Sequence, residues 1–345
     1  MRAIGIEGGK GDADKLFIQD DIPDPVAHDD RVLVRIKAFG LNRMDLMQRE
    51  DRYPYPLLPE SGKILGVEFS GTVEATGPSC SGIFKDGERV FGLAYGGAYA
   101  EKISVSEKML MHIPEEMAYE VAAGIPETYF TAIQALHLVG GLEPEQSVLI
   151  HAGASGVGQA AIQIARFGGA SKIFTTAGTD AKCALCKYLG ADFAINYRTG
   201  EDFSRVIERE TEGKGVNLII DLVGRDYWHR NSPLLSHAGK GNTASAAMEA
   251  KIVLVAAMSG NMIEGFNLRA LLNKRLWVLA TTLRTRDADY QAKLKNVFLE
   301  KALPHLAKGT MTVTVHKVFP WSELAAAHKM METNTNAGKL ICIVE

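Results

Sequence analysis

Cysteine is scarce in this chain: 345 residues carry four, Cys80, Cys183, Cys186 and Cys342. So few, so widely spread, exclude a disulfide framework and suit a reducing, cytoplasmic setting. Cys183 and Cys186 have the spacing of a redox or metal pair, but no second pair completes a zinc tetrahedron. Leu185 and Leu189 beside them point to helix packing instead. Net charge is equally slight, 38 Lys+Arg against 41 Asp+Glu, so nothing draws the chain electrostatically to nucleic acid or to an anionic membrane. No apolar run approaches the roughly 18 residues of a membrane span. Met1–Glu7 reads as a strand and not as a signal or transit peptide. Repeats and low-complexity tracts are missing too. What is present is ordinary globular material, 46% hydrophobic and 23% charged, long enough for two domains.

The most informative stretch is Val148-Leu149-Ile150-His151-Ala152-Gly153-Ala154-Ser155-Gly156-Val157-Gly158-Gln159. An apolar run ends in a glycine-rich loop, and a helical pattern follows at once. Val157, Ala161, Ile164 and Ala165 fall on one face and Gln159, Gln163 and Arg166 on another. Strand, glycine loop and helix start together hold a dinucleotide pyrophosphate, because small residues allow close approach and the helix offers free N–H groups. Read as G-x-G-x-x-G, the positions are Gly153, Ser155 and Gly158, with serine where a second glycine is usual. Further strand-like runs at Lys172–Thr176 and Val216–Asp221, separated by helical stretches, give βαβαβ. His151, just before the turn, is read as fixing the loop and not as a proton carrier.

Around this core the style changes. The first 120 or so residues are β-rich: Val32–Ala38, Gly71–Ala75, Gly87–Gly92 and Gly97–Lys102 look like strands between glycine, proline and aspartate punctuation. Helices and parallel-type strands alternate from about Tyr119. Pro304–Glu345 returns to short strands, with one helix from about Trp321 to Glu332. The simplest architecture is α/β: a doubly wound parallel-sheet (Rossmann) domain over 125–288, inserted into a β-rich domain made of 1–124 and 289–345. Gly239–Ala250, small and polar, reads as a surface loop.

The end of the second strand bears on the cofactor. NAD sites usually place Asp or Glu there, about 20 residues after the glycine loop, on the ribose 2′-OH. This chain has Thr175-Thr176-Ala177-Gly178-Thr179, then Lys182, and later Ile195-Asn196-Tyr197. A lysine that can pair with a 2′-phosphate, and a phenol beside it, favour NADPH. Asp180 is a contrary signal, and a surface lysine with a core tyrosine is the plainer alternative.

Taken together, these residues resemble the medium-chain dehydrogenase/reductase superfamily in its zinc-free NADPH:quinone oxidoreductase branch, and look most like the stress-inducible quinone oxidoreductases of animals. The resemblance covers nearly the whole chain. It rests on Leu41–Arg49, Ile64–Gly71, Ile125–Ala132, His151–Gly158, Thr176–Gly178 with Lys182, Leu189–Ala191, Ile195–Tyr197 and Asp221–Gly224. It implies that the β-rich domain is GroES-like and that Gly239–Ala250 is an insertion. Zinc-dependent members carry Cys-His and Gly-His-Glu where this chain has Asn42-Arg43 and Gly66-Val67-Glu68, and their four-cysteine lobe is missing. Without thiolate or imidazole no metal is expected.

The resemblance implies hydride transfer from NADPH to a quinone. Reduction of α,β-unsaturated carbonyls is the alternative, and a weakly catalytic NADPH-binding or RNA-associated protein is a further one. Asn42, Asp45 and Tyr53 are the catalytic candidates. Asn42 and Tyr53 can donate to the acceptor oxygen, while Asp45 would rather orient its neighbours. Each has a structural alternative: Asn42 as the cap of a helix over Met44–Arg49, Tyr53 as packing beside Pro54 and Pro56. For the cofactor, the resemblance implies Thr131 at the nicotinamide and Ser155, Gly156, Val157 and Gly158 at the diphosphate. Gly178, Lys182 and Tyr197 fall at the 2′-phosphate, Val223 and Ser259 along the sheet edge, and Asn336 is a weaker candidate. Leu276–Thr282 is expected to pair with its copy in a homodimer; an internal strand covered by helices is the other reading.

Overall fold

The structure is a computed structural model and describes residues 1–54, 63–236, 250–266 and 268–345. The Gly239–Ala250 expectation therefore lies, but for Ala250, outside the described residues. In chain order, the opening part holds strands β1 (Ala3–Ile6), β2 (Leu16–Gln19) and β3 (Arg31–Gly40), helix α1 (Arg43–Arg49), and strands β4 (Glu68–Thr76), β5 (Arg89–Leu93), β6 (Lys102–Ser106) and β7 (Leu110–His112). Two short helices, α2 (Tyr119–Ala122) and α3 (Pro126–Ile133), lead into an alternating series. That series runs β8 (Ser147–Ile150), α4 (Gly156–Phe167), β9 (Lys172–Ala177), α5 (Asp180–Tyr188), β10 (Phe193–Asn196), α6 (Phe203–Glu210), β11 (Leu218–Asp221), α7 (Arg225–Leu234), β12 (Lys251–Leu254), α8 (Leu268–Lys274) and β13 (Trp277–Ala280). The chain closes with α9 (Ala288–Lys301), α10 (Leu303–Ala307), β14 (Val315–Pro320), α11 (Leu324–Glu332) and β15 (Lys339–Ile343).

These elements divide into two compact units. The first is Met1–Phe130 with Arg284–Glu345; the second, Thr131–Leu283, lies inside residues 125–288. In the first unit β14-β15-β3-β4-β5-β7 form one sheet, with β6 also paired to β3. β3 alternates buried and exposed positions, as a strand with one face on a core must. That core gathers Phe39, Phe69, Tyr99, Trp321 and Leu340. The run 97–101, expected as strand, is instead a bend with a single bridge from Ala100 to Ala3; pairing begins only at Lys102. Gly96 and Gly97 have positive φ and turn the chain there.

The second unit is a six-stranded sheet in the order β10-β9-β8-β11-β12-β13, with every pair parallel. Strand order reverses beside β8, which is the arrangement of a dinucleotide-binding fold. β8 and β11 are buried at every position, as central parallel strands covered on both faces are. β13 is the last strand in the order, and Trp277 and Val278 on it are exposed. Trp277–Ala280 is thus an edge strand of this sheet and not an internal one.

Candidate functional site

The glycine loop sits where β8 leaves the sheet. Ser155 is extended, at φ −72° and ψ 163°, a conformation that does not need glycine. Its Oγ accepts the Gly158 N–H at 3.0 Å. Serine therefore takes the middle position because it caps α4, satisfying one free amide of the helix start. Gly158 cannot be replaced so freely: a Cβ there would lie 2.3 Å from the Ala152 carbonyl and 2.7 Å from the Gly153 Cα. Behind the loop, buried His151 bonds Thr176 Oγ1 at 3.1 Å and Asn231 Oδ1 at 2.8 Å. Asn231 in turn donates to Asp221 at 3.1 Å, whose other oxygen accepts the Val223 and Gly224 N–H groups. Burial lowers the His151 pKa. A neutral ring therefore ties the ends of β8, β9 and β11 together, as a fixer of the loop should.

A second corner forms at the tip of β9. Gly178 lies so close to Tyr197 that a Cβ would stand 2.6 Å from the phenol oxygen and 3.5 Å from Arg198 Nε. Thr179 caps α5 by accepting the Lys182 N–H at 3.2 Å, which puts Lys182 in the first turn. Burial, and then the nearby Arg198 guanidinium, lower the Lys182 pKa. Asp180, the contrary signal, is engaged by Asn196 Nδ2 at 2.7 Å. Gly178, Lys182 and Tyr197 are thus brought together, and Arg198 joins them. Sequence reading missed Arg198, although a basic residue directly after the strand tip Ile195-Asn196-Tyr197 was there to be read. Two cations and a phenol around a glycine fit a phosphate monoester.

The remaining cofactor candidates are more scattered. Ser259 Oγ donates to the Val223 carbonyl at 2.8 Å and accepts the Asp226 N–H at 3.0 Å, so these two residues meet past the ends of β11 and β12. Thr131 is buried on α3. Asn336 belongs to the first unit, where its amide bonds the Gly338 carbonyl at 2.9 Å.

The catalytic candidates lie in the first unit, within a buried polar cluster. Asn42 stands immediately before α1, and its backbone N–H donates to Asp45 Oδ2 at 2.8 Å. The helix-cap position expected as the alternative is therefore real, but the Asn42 side chain is used elsewhere. Its Nδ2 donates to Glu68 Oε1 at 2.9 Å, and its Oδ1 accepts from Lys339 Nζ at 2.9 Å. Lys339 Nζ also bonds Glu68 Oε1 at 2.6 Å and the Leu41 carbonyl at 2.7 Å, so all three ammonium protons are used. Glu68 Oε2 accepts the Glu127 N–H at 2.9 Å. Burial, with Glu68 next, pushes the Glu127 carboxyl up to about 8. Asp45 is fully buried and accepts from Tyr99 at 2.8 Å. Arg284 lies near Tyr53, Glu127 and Asp45, and burial lowers its pKa. Lys339, Tyr99 and Arg284 escaped sequence reading because they are far apart in the chain and belong to no short motif, and Glu127, although inside the Ile125–Ala132 stretch, was not singled out there. Tyr53 is half-buried beside α1, its N–H on the Met47 carbonyl; its expected neighbour Pro56 is outside the described residues. Among the described residues no three of His, Cys, Asp or Glu are grouped to hold a metal ion.

Known proteins carry the same two parts. Residues 28–115 match the alcohol dehydrogenase GroES-like domain, and residues 156–298 match the family described as zinc-binding dehydrogenase. A quinone oxidoreductase-like protein 2 of Bos taurus is 28% identical across 94% of this chain and 88% of its own length. The reducing polyketide synthase rdc5 of Metacordyceps chlamydosporia is 32% identical over 94% of this chain, which spans only 13% of that protein. The Escherichia coli quinone oxidoreductase crystallised with NADPH superposes with a TM-score of 0.82 at 27% identity, over 99% of this chain and all of the other. Sequence match, strand order and domain pairing agree: this chain belongs to the medium-chain dehydrogenase/reductase superfamily of oxidoreductases.

Proposed function

We propose that the chain moves hydride from NADPH to an electrophilic carbonyl acceptor, quinones first. The observation that carries this reading is the corner of Gly178, Lys182, Tyr197 and Arg198, which offers positive charge where a 2′-phosphate would stand. Ser155, Gly156, Val157 and Gly158 at the start of α4 would hold the diphosphate. Thr131, Val223 and Ser259 would follow the rest of the dinucleotide, with Asn336 the weakest member. The bound cofactor supplies the hydride; the protein supplies position and a polar environment.

Acceptors that are already electrophilic need little polarisation. No metal is invoked in this reading, because Asn42-Arg43 and Gly66-Val67-Glu68 offer neither thiolate nor imidazole. The Glu68 oxygens already accept from Lys339, Asn42 and Glu127. Asn42 and Tyr53 are the proposed donors to the acceptor oxygen. The likeness to a stretch of a reducing polyketide synthase favours one further reading, reduction of α,β-unsaturated carbonyls. Purified protein with NADPH and a panel of quinones, alkenals and enones, followed by NADPH absorbance, separates the two. Turnover of none would remove both.

Lys182→Ala should raise the Michaelis constant for NADPH by about tenfold, the scale of one charge-assisted contact, and leave turnover nearly unchanged. An unaltered constant would count against the phosphate corner. Tyr53→Phe should lower acceptor turnover several-fold; full activity would demote Tyr53 to packing. The exposed edge of β13 supports pairing with a second copy, which light scattering at micromolar concentration tests, a monomer being the contrary result. The four free thiols suit a cytoplasmic location, and no described helix is long and apolar enough to cross a membrane.

A further inference from the structure

Helix α1 carries buried polar atoms that none of the described residues satisfies. Asp45 is fully buried, and its Oδ1 has no hydrogen-bond partner. One turn further on, both polar atoms of the Gln48 side chain are buried and equally unsatisfied. Residues three apart share a helix face, so these atoms lie on one side of α1. Leaving each dry is unfavourable, and an oxygen-bearing group placed against them removes that cost.

The other oxygen of Asp45 is fully committed. Oδ2 accepts from the Asn42 N–H and from the Tyr99 hydroxyl, each at 2.8 Å. Behind Tyr99 stands His328, with Nε2 at 3.4 Å, and behind His328 stands Arg49, its Nη1 3.2 Å from Nδ1. Tyr99, His328 and Arg49 are all buried. A guanidinium only donates, so Nδ1 of His328 accepts. Burial, aided by Arg49, holds the imidazole pKa down to about 3. The neutral ring therefore carries its single proton on Nε2 and donates it to the Tyr99 oxygen, which leaves the Tyr99 proton to point at Asp45. The chain runs one way, and with two donors on Oδ2 the place for a proton on Asp45 is Oδ1.

We propose that Asp45 is the proton donor of the reaction, its Oδ1 meeting the acceptor's carbonyl oxygen beside the Gln48 carboxamide, and that Tyr99, His328 and Arg49 are positioning residues that fix which oxygen holds the proton. This rests on the oxidoreductase reading. Once the acceptor has gained a hydride and its two electrons, its oxygen bears a negative charge. The Asp45 Oδ1–H bond breaks, an O–H bond forms on the acceptor, and the aspartate left behind keeps its two donors on Oδ2. Water from solvent returns the proton before the next turnover. Burial pushes Asp45 up to about 7, so the acid is present at neutral pH. Lys339 and the donors Asn42 and Tyr99 oppose that rise, Glu68 adds to it, and Glu127, His328 and Arg284 are the other ionisable groups nearby.

The test is carbon-13 NMR of the full chain labelled at aspartate carboxyls, the Asp45 signal being assigned by its loss in Asp45→Asn. Without any ligand, Asp45 should titrate near pH 7. Tyr99→Phe should raise that midpoint by about one unit, since the charged carboxylate loses a hydrogen-bond donor. His328→Gln, which can still accept from Arg49 and donate to Tyr99, should keep the wild-type midpoint. Where Tyr99→Phe fails to fold, His328→Leu should give a smaller upward shift. With NADPH saturating, acceptor turnover should fall above the same midpoint and move with it. A midpoint in the ordinary carboxylate range of about 4, or one that Tyr99→Phe leaves in place, overturns the chain. A midpoint near 7 that turnover ignores overturns the donor role. If the NMR midpoint stands and no acceptor is reduced at all, the oxidoreductase reading fails and the donor role with it.

Discussion

Replacing Lys339 with methionine should destabilise the first unit by about 3–5 kcal/mol, the usual cost of stripping one partner from a buried ion pair. Glu68 is wholly buried, and Lys339 bonds it at 2.6 Å with only 5% of its own side chain exposed. With the ammonium gone, Glu68 keeps the Asn42 amide and the Glu127 N–H but no counter-charge. Asn42 Oδ1 and the Leu41 carbonyl lose their donor in the same step. The damage should appear as an earlier urea midpoint and as faster hydrogen exchange in β15 and in β3 beside it. Adding Glu68→Gln should recover at least half of the loss, because the buried charge is then removed and not merely unpaired. A loss below about 1 kcal/mol, within the range of surface ion pairs, would mean that the pair does not organise the cluster. Lys339 holds Asn42 by its oxygen and Glu68 holds it by its nitrogen, so a proposed acceptor-binding amide is fixed in orientation from both ends.

Gly158→Ala should weaken NADPH binding by about 10–100-fold, roughly 1.4–2.8 kcal/mol, while acceptor-site residues remain intact. The added methyl would meet the Ala152 carbonyl at 2.3 Å and the Gly153 Cα at 2.7 Å. These are backbone atoms, so the loop itself has to shift, and with it the cap that Ser155 makes on α4. Overpacking of this kind typically costs about 1–3 kcal/mol of stability as well. Fluorescence titration with NADPH, read beside a thermal melt, checks both. Unchanged affinity would show that the start of α4 does not receive the diphosphate.

The second unit was legible because its signals are local. A buried parallel strand is a continuous apolar run, a helix start is a glycine loop, and their alternation spells the sheet. Ser155 looked like a defect in a motif; at φ −72° it needs no glycine and serves as the cap. The first unit was harder to read. Its strands carry weaker patterns, and Gly97–Glu101 alternates like a strand but is bent by two glycines at positive φ. The polar cluster was half visible. Asn42, Asp45 and Glu68 sit in stretches that carry a family resemblance, whereas Lys339 reaches them from 271 residues beyond Glu68. Tyr99 and His328 are core residues by burial. Only the hydrogen bonds show that they also orient a carboxyl. Arg198 lies one residue beyond the strand tip Ile195-Asn196-Tyr197, outside the stretch that carries the resemblance.

Parallel titrations of the intact protein with NADPH and NADH, repeated on Lys182→Ala, test the central claim most directly. Phosphate recognition by Lys182, Arg198 and Tyr197 predicts that NADPH binds at least about tenfold more tightly than NADH, and that most of this margin disappears when Lys182 is truncated. Equal affinity for the two dinucleotides in the unaltered chain, or binding of neither, would contradict it.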